Sequence, residues 1–213
     1  MKMKKIVMPL LALVMSVSAA SAQSAKDVFD KSVKLTYLGL DFTKARIIGD
    51  AAAKVDEIVD NHYPNINQKV VNESKKFDIA EAFDREEVGT ALGPVNKRNA
   101  KIDADKVKSD DSDDYQSMKP EDVTALVKGF DFEGKTGIGI LIVMDGFNKT
   151  KKEVSGFVTL VDMKAKKVLF TDRVEGGLGM GFGYTNVYLT GIKKMIDEIK
   201  KKKYKEWKST YGG

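Results

Sequence analysis

The residues from Gly129 to Thr136 make the most specific chemical motif in the sequence. They match the phosphate-loop pattern, a Gly, four other residues and then Gly-Lys-Thr, in which backbone N–H groups at the start of a helix hold phosphate oxygens. Here the motif instead follows a predicted helix and leads into the β-branched run that begins at Ile138. Asp131 and Glu133 would also place two negative charges beside a polyanion. We therefore interpret the segment as a helix-to-strand turn and predict no cofactor.

The glycine-rich segment from Gly176 to Tyr184 lies where a strand should end and a helix should begin, and functional residues favour such loops. Its spacing does not match the dinucleotide-binding pattern G-x-G-x-x-G. Two interpretations stay open, a structural loop whose glycines adopt positive φ and a loop that contacts a ligand. The candidate binding residues are four glycines and two polar side chains at the start of the following helix, namely Gly177, Gly179, Gly181, Gly183, Tyr184 and Asn186.

The counts of cysteine and histidine limit the metal and nucleophile chemistry. The chain has no Cys and one His, His62, which excludes disulfides, thiolate sites and multi-histidine metal clusters. The segment from Asp110 to Asp114 contains four aspartates, but the calcium-loop pattern also requires a central Gly and a distal Glu, and both are missing. We interpret it as a solvated acidic loop and predict no metal site, although cation binding there stays open.

The first 22 residues have the pattern of a secretory signal peptide. A short lysine-containing start precedes the apolar run from Ile6 to Val17, and the small residues Ala20-Ser21-Ala22 form a cleavage site. The apolar run is too short to span a bilayer of about 30 Å. We therefore predict cleavage after Ala22, a mature chain from Gln23, a periplasmic or secreted location and no transmembrane segment.

The elements that must position these residues can be read from the hydrophobic periodicity. Strand patterns lie at 33–42, 77–83, 138–147, 153–163 and 168–175, and helix patterns at 51–76, 120–128 and 186–207. Two loops, of five and four residues, join the last three strands and are too short for a crossover helix. The order predicts an α/β (α+β) fold, with a mixed β-sheet of about five strands, a C-terminal three-strand antiparallel meander and helices packed on the sheet.

The mature chain is expected to be a single domain, 23–213, with a polar insertion at about 95–120. The chain has 36 Lys and Arg against 31 Asp and Glu, a formal charge of +5. Three of the lysines lie in the signal peptide, and 185–213 holds eight lysines against three acids. Because the basic charge belongs to the leader and the last helix, we predict no nucleic-acid partner. Peripheral membrane contact by Lys200 to Lys203 stays open.

Three segments carry a resemblance to a known group of proteins. They are the strand that ends at Gly39 to Phe42, the segment from Lys76 to Asp84, and the hairpin from Gly156 to Phe170 with the helix that follows it. Together they resemble the small α/β domain of bacterial envelope proteins such as the TolB amino-terminal domain, the curli-secretion lipoprotein and activators of peptidoglycan synthases. The resemblance implies a non-catalytic protein that works through protein contacts in the cell envelope. The chain departs from many members by lacking an anchoring Cys.

These observations predict an exported soluble bacterial cell-envelope protein that is not an enzyme and acts by binding another macromolecule. An envelope protein is the expected partner. The alternative is a periplasmic or secreted protein that binds a small, lipid-like ligand with the glycine-rich loop at 176–184. A hydrolase that uses two carboxylates also stays open, because 31 acidic residues offer many possible pairs.

Overall fold

The computed structural model describes residues 22–213, so the predicted signal peptide, apart from Ala22, lies outside the described residues. The described chain is a mixed α/β structure, which confirms the predicted class. Its seven strands form one sheet. They are β1 (Leu35–Asp41), β2 (Arg46–Ile48), β3 (Gly89–Thr90), β4 (Lys108–Ser109), β5 (Ile138–Asn148), β6 (Glu153–Asp162) and β7 (Lys167–Gly177).

Strand β5 organises the sheet, and each of its eleven residues is buried. Along one edge β5 pairs in parallel first with β1 and then with β2, and β3 and β4 pair in parallel with these two strands. Along its other edge β5 pairs antiparallel with β6, which in turn pairs antiparallel with β7. The three long strands are therefore part of the same sheet as the parallel strands. The predicted C-terminal meander does not exist as a separate unit, because the other edge of β5 is paired with β1 and β2.

Helices cover both faces of the sheet. The α-helices are α1 (Val55–Glu57), α2 (Tyr63–Asn72), α3 (Ile79–Ala82), α4 (Gly93–Asn99), α5 (Pro120–Lys128), α6 (Tyr184–Glu198) and α7 (Tyr204–Tyr211). A π-helical turn, Ile58–His62, joins α1 to α2, and a second one, Ile199–Lys203, joins α6 to α7. Short 3-10 helices lie at Ala25–Phe29, Ala104–Lys106 and Ser112–Asp114. The larger core lies between the sheet and α2, α6 and α7, and the smaller core lies under α4 and α5.

The strand predicted at 77–83 is wrong, because this segment forms α3. The Asp78 carboxylate accepts the backbone N–H of Glu81 at 2.8 Å and caps the helix. The predicted number of about five strands is also too low. Strands β2, β3 and β4 have only two or three residues each, and segments of that length carry no periodicity.

The segment at 95–120, expected as a polar insertion, is tied to the sheet. It contains β4, which pairs with β2, and the Val107 carbonyl accepts the N–H of Ile47 at 2.8 Å. Val107, Tyr115 and Met118 are buried. A few apolar residues among many charged ones are therefore enough to fix the segment on the sheet.

Strand β1 contains a bulge at Gly39, where two residues of β1 face one residue of β5. Gly39 has φ of 104°, and a Cβ there would lie 2.8 Å from the Leu92 side chain, so the bulge requires glycine. Beyond the bulge, two buried amide side chains replace a neighbouring strand. Asn67 accepts the N–H of Leu40 at 2.7 Å and donates to its carbonyl at 2.9 Å, and Asn99 accepts the N–H of Phe42 at 2.9 Å.

The first prediction concerns this amide pairing. Replacing Asn67 with Ala leaves the buried N–H of Leu40 without its partner, and we expect a loss of about 1–3 kcal/mol in the free energy of unfolding, measured by urea denaturation. Asn65→Ala, on an exposed position of the same helix, is the control and should change stability little. Equal midpoints for Asn67→Ala and the wild type would show that the amide is not needed.

Candidate functional site

The glycine-rich loop links β7 to α6, and its base is closely packed. Gly177 is the last residue of β7. A Cβ on Gly176 would collide with the carbonyl oxygen of Gly191 in α6, so these two glycines let the helix approach the strand closely. The N–H of Leu178 donates to the carbonyl of Lys152 at 2.6 Å, which ties the loop to the turn between β5 and β6. The β7 end of the loop is therefore held in place.

The other end of the loop is fixed by α6. Gly183, the N-cap residue, has φ of 77°, and its carbonyl accepts the N–H of Val187 at 3.2 Å. The N–H of Gly179 donates to the Thr190 hydroxyl at 2.6 Å. The Asn186 amide donates to the carbonyl of Phe182 at 2.9 Å. The sequence-predicted residues Gly177, Gly179, Gly181, Gly183, Tyr184 and Asn186 thus come together in one loop and the first turn of α6.

Two apolar side chains between these fixed ends point into solvent. Met180 is 100% exposed and Phe182 is 96% exposed. Among the described residues the other exposed large apolar side chain is Tyr211, at 39%. Sequence reasoning missed these two residues as candidates and chose the polar neighbours. We call Met180 and Phe182 the apolar tip.

Five lysines surround the base of the apolar tip. Lys69 donates to the side-chain oxygen of Asn186 at 3.2 Å, and the Lys194 ammonium lies 3.6 Å from where a Cβ on Gly177 would be. The other three lie in the turn that holds Leu178. We call the five lysines the lysine collar; they are Lys69, Lys149, Lys151, Lys152 and Lys194.

A cleft of about 350 Å³ lies beside the first turn of α6 and contains His62. The His62 Nδ1 is 2.7 Å from the Thr185 hydroxyl, and its ring stacks on Tyr184 at 5.0 Å between centroids. The Nε2 atom is 3.8 Å from a Glu57 carboxylate oxygen, which is beyond hydrogen-bond distance. Asp50 and Lys149, which also line the cleft, pair with each other at 2.8 Å. The cleft therefore offers charged, hydroxyl and aromatic groups to a polar ligand.

An aromatic cluster lies behind Tyr184, which lines this cleft. The Tyr184 and Tyr188 rings lie 4.0 Å apart, and Phe42 stacks on Tyr63 at the same distance. Burial raises the pKa of the Tyr188 hydroxyl to about 12 and raises the pKa of Tyr63 and Tyr184 further. The hydroxyls of Tyr63 and Tyr184 are buried without a hydrogen-bond partner among the described residues. A buried hydroxyl without a hydrogen-bond partner destabilises the fold unless water or a ligand reaches it.

The two remaining sequence motifs lie in a helix-to-strand turn and in a capped 3-10 helix. Gly129 to Thr136 lies between α5 and β5, so it leaves a helix and enters a strand. In the acidic segment Asp111 caps the 3-10 helix Ser112–Asp114, and Asp114 accepts the Ser109 hydroxyl at 2.6 Å. Within residues 22–213 no group of three or more His, Asp or Glu side chains is placed to hold a metal ion.

The three buried carboxylates of the described residues each have their own hydrogen-bond or ion-pair partner. Asp41 pairs with Arg98 at 2.7 Å, and Asp145 pairs with Arg173. Asp162, the third, accepts the backbone N–H of Ala165 at 2.9 Å. Each of these three carboxylates is thus held by its own donors.

Comparisons with known proteins identify no relative, since no family model, curated protein or solved structure matches this chain. The resemblance to envelope α/β domains stays a prediction. Within residues 22–213 no helix has both the length and the apolar content needed to cross a membrane.

The second prediction concerns the pH dependence of the aromatic cluster. A hydroxyl whose pKa is raised by folding stabilises the protein fully below its unfolded pKa of about 10, and this stabilisation is lost as the pH rises through the folded pKa. We expect the ionisation of Tyr188 alone to lower the free energy of unfolding by about 1 kcal/mol when the pH rises from about 9 to about 11. Tyr188→Phe, compared with the wild type by urea denaturation at both pH values, should show a smaller loss. An equal loss would mean that Tyr188 ionises as it does in the unfolded chain.

Proposed function

We propose that this chain is an exported, non-enzymatic protein of the bacterial cell envelope that acts by binding another macromolecular component, with the apolar tip as its contact surface. The observation that carries the proposal is the complete exposure of Met180 and Phe182. The other large apolar side chains of the described residues are buried or partly covered, apart from Tyr211. Exposed apolar side chains that lie together mark interaction sites.

Energetic reasoning supports the same proposal. Burying a Met or Phe side chain against a partner contributes roughly 1.5–3 kcal/mol, because the side chain leaves water. The tip residues obtain none of this within the described part of their own chain. Covering both side chains would contribute roughly 3–6 kcal/mol, which offsets part of the cost of association, so a stable complex also needs contacts from the groups around the tip.

The position of the loop in the sheet also favours a binding role. Ligands of open α/β sheets bind beyond the carboxyl ends of the parallel strands. Here β2 ends at Ile48 and β5 at Asn148, and the cleft residues Asp50 and Lys149 follow directly. Tyr184, which begins α6, joins this cleft to the glycine-rich loop.

The cleft favours a second candidate function, which is the binding of a small ligand. Its 350 Å³ volume and the hydroxyl of Tyr184, which has no hydrogen-bond partner among the described residues, are the observations that favour it. In that case the loop would form one side of a ligand site. The apolar tip would then have no direct role, so we favour macromolecular binding.

Export is supported by the environment of Gln23. Its backbone N–H donates to the carboxylate of Asp162 at 3.1 Å, and Asp162 is buried. Cleavage after Ala22 would turn this amide into an ammonium group, and a charge-assisted hydrogen bond would replace a neutral one. The processed chain would therefore gain a stabilising interaction.

The third prediction tests the contact surface. We expect Met180→Ser combined with Phe182→Ser to lower the fraction of the purified 23–213 chain that co-sediments with envelope fragments of its source bacterium by at least about tenfold, because two buried apolar side chains are lost. Circular dichroism should be unchanged, since both residues are exposed. Tyr211→Ser, at the other exposed aromatic side chain, is the matched control and should retain binding.

Two other outcomes would contradict the proposal. If the double variant co-sediments as well as the wild type, the apolar tip is not the contact surface. If a small molecule co-purifies in stoichiometric amount, as measured by native mass spectrometry, and Tyr184→Phe weakens its binding, small-ligand binding replaces macromolecular binding as the function.

The fourth prediction tests the processing site. A chain that begins at Gln23 should be more stable to urea than one that keeps Ser21 and Ala22 in front, by about 1 kcal/mol, because its ammonium group faces the Asp162 carboxylate. The difference should disappear in Asp162→Asn. Mass spectrometry must show that Gln23 has not cyclised, since cyclisation would remove the charge. Equal stability of the two uncyclised chains would argue against this role of the amino terminus.

A further inference from the structure

We propose that the surface bound by the apolar tip is an anionic membrane, with Met180 and Phe182 inserted among the lipid headgroups and the lysine collar in contact with their phosphates. This inference rests on the proposed function, because it names the class of partner. It follows from the shape of the tip, from the charges around it and from a comparison with the other lysine-rich surface of the molecule.

The shape of the tip suits a membrane better than a pocketed protein surface. Met180 and Phe182 project from the loop, with exposures of 100% and 96%, and no neighbouring side chain shelters them. Protein hot spots of this kind require a complementary pocket on the partner. A lipid interface accepts projecting apolar side chains without such a pocket.

The hydrogen bonding of the loop limits how deeply it can enter a membrane. Backbone polar groups without partners are costly in hydrocarbon. The loop bonds at its base, Leu178 to Lys152 and Asn186 to Phe182, leave the intervening glycine backbone to water or headgroups. Insertion therefore stops at the headgroup region, where the glycine backbone stays hydrated.

The charges around the tip complement anionic headgroups. Within residues 22–213, Lys151, Lys152 and Lys194 have no carboxylate partner, although Lys151 also lies over the Tyr115 ring at 5.0 Å. The other two collar lysines are partly compensated, because Lys149 pairs with Asp50 at 2.8 Å and Lys69 lies 4.0 Å from Glu73. Lysines close to an anionic leaflet add attraction that salt weakens.

Two acidic side chains near the collar reduce this charge but do not cancel it. Glu175, near the end of β7, accepts a hydrogen bond from the Gln116 amide at 2.6 Å, and this neutral partner leaves the carboxylate charged. Glu153, the first residue of β6, is half-buried. Three lysines without a carboxylate partner therefore exceed these two carboxylates, and the small positive excess has the sign that an anionic membrane attracts.

Three of the four lysines in the run from Lys200 to Lys203, the sequence's own candidate for membrane contact, have carboxylate partners within the fold, and among the described residues Lys201 has none. Lys200 pairs with Glu81 at 2.5 Å and Lys203 pairs with Asp172 at 2.8 Å. Lys202 lies 3.9 Å from Glu198 and from Glu206. This run follows the fifteen residues of α6, so it lies about 22 Å from the first residue of the helix along its axis. The tip is the better membrane-binding surface, because fully exposed apolar side chains accompany its unpaired lysines.

The fifth prediction is tested with vesicles and the purified 23–213 chain. We expect the chain to co-sediment with vesicles of phosphatidylcholine that contain about one-third phosphatidylglycerol, and at least about tenfold less with phosphatidylcholine alone or at about 0.5 M salt. Met180→Ser with Phe182→Ser should lower binding at least about tenfold, and Lys151→Gln with Lys152→Gln and Lys194→Gln should lower it several-fold.

A matched triple variant controls for net charge. Lys26, Lys205 and Lys208 are exposed lysines of the first 3-10 helix and of α7, which pack together, and within the described residues they have no carboxylate within ion-pair distance. Replacing all three with Gln removes the same charge away from the glycine-rich loop and should leave vesicle binding nearly unchanged. Equal effects of the two triple variants would overturn the assignment of the collar.

Insertion itself has a direct readout. The natural Trp207 is buried, so its fluorescence should respond little to vesicles. Phe182→Trp should show a blue-shifted emission with the anionic vesicles and should be quenched by brominated lipid. Binding without either change would overturn insertion of the tip.

The outcomes separate this inference from the proposed function. If the wild type does not bind vesicles but binds envelope fragments through the apolar tip, the membrane inference fails, and the partner is a protein of the envelope. If it binds neither vesicles nor fragments, the proposed function itself fails.

Discussion

The burial of β5 is the constraint on which the rest of the structure depends. Its eleven residues are inaccessible to water, so both edges must be paired and both faces must be covered. Ile138, Ile140 and Ile142 pack into the core beneath α2 and α6, whereas Leu141 and Val143 pack into the core beneath α5. The alternation along one strand thus determines which helices lie on which face. The pairing of β6 with both neighbours also places the end of β5 and the end of β7, where the glycine-rich loop begins, on either side of the first residue of β6.

Where the register of this sheet shifts, polar side chains supply hydrogen bonds. Asp145 lies at a register shift between β5 and β6 and is held by Arg173, which also donates to the carbonyls of Gln116 and Met118. Burial raises the pKa of Asp145, while Arg173 acts in the opposite direction. These bonds attach the 95–120 segment to the sheet. Breaking such a buried pair would be costly, although the intact pair adds little net stability.

The sequence predicts the long elements well and the short ones poorly. The run from Ile138 and the periodic helix through Ile192 contain enough residues for a pattern to appear. The strand prediction at 77–83 failed, because Asp78 caps a helix there whose four residues are too few to show a helical period. The site shows the same limit. Tyr184 was identified from its place at a helix start, but its neighbour Thr185 meets His62 across 123 residues of chain, a separation that no local pattern encodes.

The exposure of the apolar tip could not be predicted either, because alternating glycine and apolar residues fit a strand as well as a loop. What decides between them is the first turn of α6. Tyr184 is fixed in the aromatic cluster, and the Asn186 amide donates to the carbonyl of Phe182. The chain therefore leaves the sheet before Met180 and reaches the start of α6 at Gly183. The glycines between these points have no side chains that could shield Met180 or Phe182. Fixed ends with a bare backbone between them therefore present the two apolar side chains to a partner, and little further ordering of the loop base is needed on binding.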